Sequence, residues 1–150
     1  MDDGATIPDV TVTIDAKAVP LASLGAPLVV YFYPKDDTTG CTTEAKDFST
    51  LADAFAAAGV GVVGISKDTP ASHAKFTAKH GLTVSLASDV DGVACEAFGV
   101  WVEKAMYGRK YMGIERATFL FGADGTLARA WRKVRVAGHA EAVLAAAKAL

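Results

Sequence analysis

Cys41 is the residue with the most chemistry to offer. It closes the string Tyr31-Phe32-Tyr33-Pro34-Lys35-Asp36-Asp37-Thr38-Thr39-Gly40-Cys41 and opens a helical pattern that continues through Thr42-Thr43-Glu44. An apolar strand runs into Pro34, a short polar loop follows, and the cysteine stands in the first turn of the next helix. Unpaired backbone N–H groups in such a turn favour a thiolate over a thiol, and the thiolate is the nucleophilic form of sulfur. Gly40 lets a substrate approach the backbone closely, and the Thr38 hydroxyl can both donate and accept. Glu44 stands where a second cysteine would complete a Cys-x-x-Cys pair, so the segment has no dithiol chemistry of its own. A single activated thiolate needs a partner cation, and Arg116 is the best placed. It immediately precedes the apolar strand Ala117-Thr118-Phe119-Leu120-Phe121, where an unpaired guanidinium is costly. Plainer readings stand beside these: Cys41 also fits the helix's apolar stripe as a core cysteine, and Arg116 fits a solvated strand end.

Other constellations carry less. Gly59-Val60-Gly61-Val62-Val63-Gly64 matches the dinucleotide fingerprint as a string, but a helix precedes it and the strand lies inside it. That motif must follow a strand and open a helix, so these glycines read as a helix stop running into a strand. Asp89-Val90-Asp91-Gly92 lacks the remaining calcium-loop ligands and reads as a turn. His73, His80 and His139 form no metal-ligand group with either cysteine, and His73 and His80 are expected at the surface. Arg129-Ala130-Trp131-Arg132-Lys133-Val134-Arg135 is locally basic, yet a strand with one wet face has the same composition, so no nucleic-acid partner is expected.

The elements that position these residues alternate. Strand character marks Val10–Ile14, Leu28–Tyr33, Val60–Ile65, Val84–Leu86, Ala117–Phe121 and Leu127–Val134. Leu28–Tyr33 is apolar throughout, as expected of a strand covered on both faces. One helix is predicted over Cys41–Ala58, stopped by Gly59; Thr69-Pro70 caps a second that ends at His80-Gly81. A short helix over Asp91–Phe98 and an Ala-rich one over His139–Leu150 complete the set. Phe121–Thr126 reads as the turn of a closing hairpin. The expected architecture is α/β: a central mixed sheet with helices on both faces, in one domain spanning residues 1–150.

Composition bounds the rest. The chain has 150 residues, a net charge of -2, 51% hydrophobic and 21% charged residues, enough for a substantial core and too apolar for disorder. The near-neutral balance offers no electrostatic footprint for nucleic acid or anionic lipid. No apolar run is long enough to span a membrane, and Met1-Asp2-Asp3-Gly4 lacks the basic start of a secretory signal. Cys41 and Cys95 alone cannot staple a domain of this size, and a cytoplasmic protein is expected. Alanine is abundant, at 29 residues, and Asn and Gln are absent, which is compositional bias.

Pro34-x-x-x-Thr38-x-x-Cys41, with Arg116, resembles the active-site set of the peroxiredoxins. The longer string Tyr31–Glu44, Ser88-Asp89 and Phe98-Gly99-Val100-Trp101 is similar to the Q-type branch, also called bacterioferritin comigratory proteins, from about Ile7 to the final helix. The resemblance implies a thioredoxin-like fold and a thiol peroxidase acting on hydrogen peroxide and organic hydroperoxides. It implies Cys41 as the peroxidatic cysteine, oxidised to a sulfenic acid. Arg116 would stabilise its charge, Thr38 and the backbone near Gly40 would hold the peroxide, Pro34 would cover the sulfur, and Glu44 would orient Arg116 or help bind substrate. It implies no metal and no organic cofactor, with thioredoxin, a glutaredoxin or a small thiol as reductant and a monomeric or dimeric chain. A sensor that uses Cys41 oxidation as a signal is the rival function, and a thioredoxin-like interaction module with an inert cysteine is a third. One departure stands out: many relatives carry a resolving cysteine five positions after the first, here Lys46, or on a later helix, here Pro70–His80, which has none. Cys95, among small apolar neighbours, is expected to be structural.

Overall fold

A computed structural model describes residues 1–150. In chain order the elements are β1 (Thr11–Ile14), β2 (Lys17–Pro20), a 3-10 turn (Leu21–Leu24), β3 (Leu28–Phe32), α1 (Thr39–Thr50), α2 (Ala52–Ala57), β4 (Gly61–Ser66), α3 (Pro70–His80), β5 (Ser85–Ser88), α4 (Val93–Ala97), β6 (Trp101–Met106), β7 (Arg109–Ile114), β8 (Ala117–Phe121), β9 (Leu127–Trp131) and α5 (His139–Lys148). Seven strands form one mixed sheet in the order β2-β1-β5-β4-β3-β8-β9, and β6 pairs with β7 in a separate hairpin. Pairings β3–β4 and β4–β5 are parallel, while β8 joins β3 antiparallel.

Strand β3 shows why this sheet is buried on both sides. Successive side chains point to opposite faces, and Val29 and Tyr31 join a core with Phe48 of α1, Phe55 of α2, Phe76 of α3 and Val143 of α5. Leu28, Val30 and Phe32 join the opposite core with Phe119 and Phe121 of β8, Phe98, and Ala94 and Cys95 of α4. The expected α/β architecture with helices on both faces is therefore what the chain adopts. Gly64 of β4 lies beside Tyr31, and a β-carbon there would come within 2.6 Å of the Tyr31 hydroxyl and closer still to its ring. The missing side chain lets the Tyr31 ring lie across β4 and stack on Phe48, centroids 4.6 Å apart.

Three features depart from the expectations. The helix after Cys41 breaks at Leu51 into α1 and α2 rather than running to Ala58. Ser49, in its last turn, accepts hydrogen bonds from the Thr83 and Val84 amides and, through its carbonyl, from the Thr83 hydroxyl, which ties that turn to the approach of β5. The last strand stops at Trp131, because Lys133 takes a positive φ of 48° and Glu115 holds Arg132 and the Lys133 amide. Strands β2, β6 and β7 carry too little apolar alternation to be read from sequence. The β6–β7 hairpin turns through Tyr107 and Gly108, both at positive φ, the conformation that matches strand twist in two-residue turns. No helix is long and apolar enough to cross a membrane.

Candidate active site

Helix α1 starts at Thr39 with Thr38 as its N-cap, which places Cys41 in the first turn and Glu44 one turn further along the same face. Both side chains are buried, Cys41 at 2% exposure and Glu44 at 1%. Arg116, entering β8, reaches them together. Its Nη2 donates to Cys41 Sγ at 3.2 Å and its Nη1 to Glu44 Oε1 at 2.7 Å. The planar fork of the guanidinium makes this double contact possible, where an ammonium would act as a point charge. Gly40 makes room for it: a β-carbon there would stand 3.3 Å from Arg116 Nη2. The Arg116 backbone is fixed as well, its carbonyl accepting from the Val134 amide at 3.0 Å. The reading of Arg116 as a solvated strand-end residue does not hold.

Charge is unevenly tolerated here. Burial pushes Glu44 up to about 7, although Arg116 pulls it down. Burial also works against the Arg116 charge, but Glu44 and the Cys41 sulfur outweigh it and hold Arg116 above its ordinary value. Glu44 Oε2 and the Tyr31 hydroxyl are both buried without a hydrogen-bond partner. His139, at the start of α5, is pushed down to about 4 by burial and by Arg116, and shares a 2.7 Å hydrogen bond with Thr118.

The loop before α1 carries the other expected residues. The Thr38 hydroxyl donates to the Lys35 carbonyl at 2.8 Å, so its proton is committed and its lone pairs are left to accept. Pro34 is exposed in this loop. Cys41, Glu44, Arg116 and Gly40 are thus brought into contact, with Thr38 and Pro34 in the connecting segment.

Sequence reasoning missed what anchors that loop. Asp36 accepts from the Tyr33 hydroxyl at 2.6 Å and the Ser72 hydroxyl at 2.8 Å, lies 2.7 Å from His73 Nδ1, and donates its amide to Asp68 at 2.9 Å. His73 Nε2 lies 3.1 Å from the Ala87 carbonyl, and the ring is buried rather than at the surface as expected. The signal was present: His73 lies three residues before Phe76, on the face of α3 that turns inward. His80 and Lys79 hold Asp37 at 2.8 and 2.7 Å. Asp36, Asp68 and His73 lie close enough together to ligate a metal, but Asp36 and His73 are already engaged in this hydrogen-bonded network.

Cys95 sits apart. It is fully buried at α4, its amide bound to Asp89 Oδ2 at 2.8 Å, and burial and Asp89 push its thiol well up. Both cysteines are free.

Residues 4–130 match the family model of the AhpC/TSA family. Peroxiredoxin Bcp of Xanthomonas campestris is 54% identical over 85% of this chain and 80% of its own length. Peroxiredoxin Bcp of Bacillus subtilis is 47% identical over 77% and 73%. A structure of the Xanthomonas campestris bacterioferritin comigratory protein, from work on its alkyl peroxide reduction activity, superposes with a TM-score of 0.90. It is 45% identical and covers 99% of this chain and 98% of that one. The fold that brings Arg116 to Cys41 and Glu44 is thus shared with these proteins, and the chain belongs to the AhpC/TSA family, in the Q-type (Bcp) branch of the peroxiredoxins.

Proposed function

We propose that this chain reduces hydrogen peroxide and organic hydroperoxides through Cys41, with a thiol as the electron donor. The observation that carries the reading is the 3.2 Å contact between Arg116 Nη2 and the Cys41 sulfur. The Cys41 thiolate attacks one peroxide oxygen, an S–O bond forms as the O–O bond breaks, and the sulfur is oxidised to a sulfenic acid. The leaving hydroxide or alkoxide takes up a proton to become water or an alcohol. Arg116 offers donors to the charge that moves from sulfur to the departing oxygen. Thr38, whose proton is engaged by Lys35, accepts from the peroxide O–H, and the amides at Gly40 and Cys41 donate to its oxygens. Glu44 orients the guanidinium. Pro34 borders the approach. Two free thiols suit a reducing, cytoplasmic setting.

The test is turnover of hydrogen peroxide and cumene hydroperoxide with dithiothreitol, wild type against Cys41→Ser. The serine variant should fold normally and lose activity by roughly a thousandfold or more, because a hydroxyl is a far weaker nucleophile near neutral pH. Activity within about tenfold of wild type, only ~1.4 kcal/mol of barrier, would place the chemistry elsewhere. Oxidation of Cys41 without turnover would instead favour the sensor.

A further inference from the structure

Oxidised Cys41 has no thiol of its own chain to turn to. It belongs to the core that packs α1, α2, α3 and α5 on one face of the sheet, and Cys95 to the core on the opposite face. A disulfide requires Cα atoms within about 7 Å, and the seven-stranded sheet stands between these two. The second thiol must therefore come from outside, and two observations describe it. First, the sulfur is recessed and the start of α1 is anchored: Asp36 is bound to Tyr33, Asp68, Ser72 and His73, and Asp37 to Lys79 and His80. An anchored, 2% exposed cysteine suits a small thiol that enters more than a protein surface that must be met.

Second, the β6–β7 hairpin presents a cationic face beside the site. By strand register Val102, Lys104 and Met106 share one face with Gly113, Tyr111 and Arg109, and that face has no acidic residue. Lys104 is half-buried across Gly113, its Cδ and Cε 3.2 and 3.5 Å from where a β-carbon would stand. Strand β7 ends at Ile114, two residues before the arginine that contacts Cys41, so the hairpin adjoins the site through the chain itself. Consistent with this, burial and the Arg116 guanidinium pull Lys104 below its ordinary value, while the Cys41 sulfur and Glu115 act in its favour. The neighbouring carboxylates are engaged elsewhere: Glu103 lies on the other hairpin face with Lys110 at 3.8 Å, Glu115 holds Arg132 at 2.6 Å, and Glu44 holds Arg116. Lys104 is in no ion pair.

Resting on the peroxidase reading above, we propose that the Cys41 sulfenic acid is resolved in place by a low-molecular-weight thiol bearing a carboxylate, which docks on Lys104 and the cationic face of the β6–β7 hairpin. The thiol sulfur attacks Cys41 Sγ, the S–O bond breaks, and water leaves as a mixed disulfide forms. A second molecule of the same thiol attacks that disulfide, releasing the small-molecule disulfide and restoring Cys41. Two thiols are oxidised for each peroxide reduced, and Lys104 acts as a positioning residue.

The experiment forms the sulfenic acid with one equivalent of hydrogen peroxide. It then follows resolution by glutathione, which carries carboxylates, and by uncharged 2-mercaptoethanol, using rapid quench and mass spectrometry. The ratio of the two rates should fall roughly three- to tenfold in Lys104→Gln, return in Lys104→Arg, and fall with added salt in wild type. Because both thiols meet the same fold, a structural role for Lys104 would slow both alike, and an unchanged ratio would overturn the proposal. A dominant Cys41–Cys95 disulfide in the non-reducing peptide map would overturn it too. So would a thioredoxin-type dithiol protein that resolves Cys41 more than about tenfold faster than glutathione at equal concentration. If Cys41 keeps its thiol after peroxide, the peroxidase reading itself fails, an outcome separate from any change in the ratio.

Discussion

Arg116 joins a sulfur to a carboxylate that burial holds partly against its charge, so protonation of Glu44 is felt at Cys41 through one side chain. In the folded chain Glu44 titrates near 7, against an ordinary value of 4.5. Between those values the folded state keeps a proton that the unfolded state has released, so stability falls as pH rises through this window. The penalty is absent below about 4.5 and complete above about 7. Glutamine cannot ionise. Glu44→Gln should therefore gain on the parent chain by on the order of 1–3 kcal/mol between pH 4.5 and pH 7.5, whatever its absolute stability. Urea midpoints of both proteins across that range check this, and a difference independent of pH would mean that Glu44 is ionised throughout.

Among the elements, the loop between β3 and α1 leads into the helix that carries Cys41. Asp36 links it to Tyr33 at the end of β3, to Ser72 and His73 in α3, and by its amide to Asp68. Its hydrogen bonds hold its carboxyl below the ordinary value against the opposing effect of burial. Removing it would leave a buried histidine and two hydroxyls without their acceptor. Asp36→Ala should cost on the order of 2–4 kcal/mol. The loss should appear first as faster exchange of the hydrogen-bonded amides over Thr42–Lys46, while α5 amides that exchange only on global unfolding quicken with the loss of total stability alone. Unchanged exchange at the start of α1 would show that the loop is held by something else.

For the molecule as a whole, the stack from Gly64 through Tyr31 to Phe48 couples the sheet to α1. A methyl at Gly64 meets the Tyr31 ring, which is fully buried and stacked on Phe48. Gly64→Ala should therefore cost about 1–3 kcal/mol, read as a lower urea midpoint, through overpacking rather than lost burial. A neutral result would mean that Tyr31 repacks freely. Much of this molecule was legible in its sequence because the signals are local. Apolar runs mark β3 and β8, Thr69-Pro70 and Gly81 bracket α3, and a cysteine after a polar loop marks the helix start that carries it. The position of Arg116 before a buried strand, and the family resemblance, singled out the arginine as well. The weakly patterned β6–β7 hairpin, the break at Leu51 and the burial of His73 were not legible, since each is decided by what packs against it. The same holds for the site's final form. The Cys41–Arg116 contact spans 75 residues, and the side of the sheet on which Cys95 lies follows from strand order. Residue type and spacing act within a helical turn or a strand pleat, so the sequence could single out Cys41. Only the pairing of distant strands could bring its arginine to it and keep the second cysteine away.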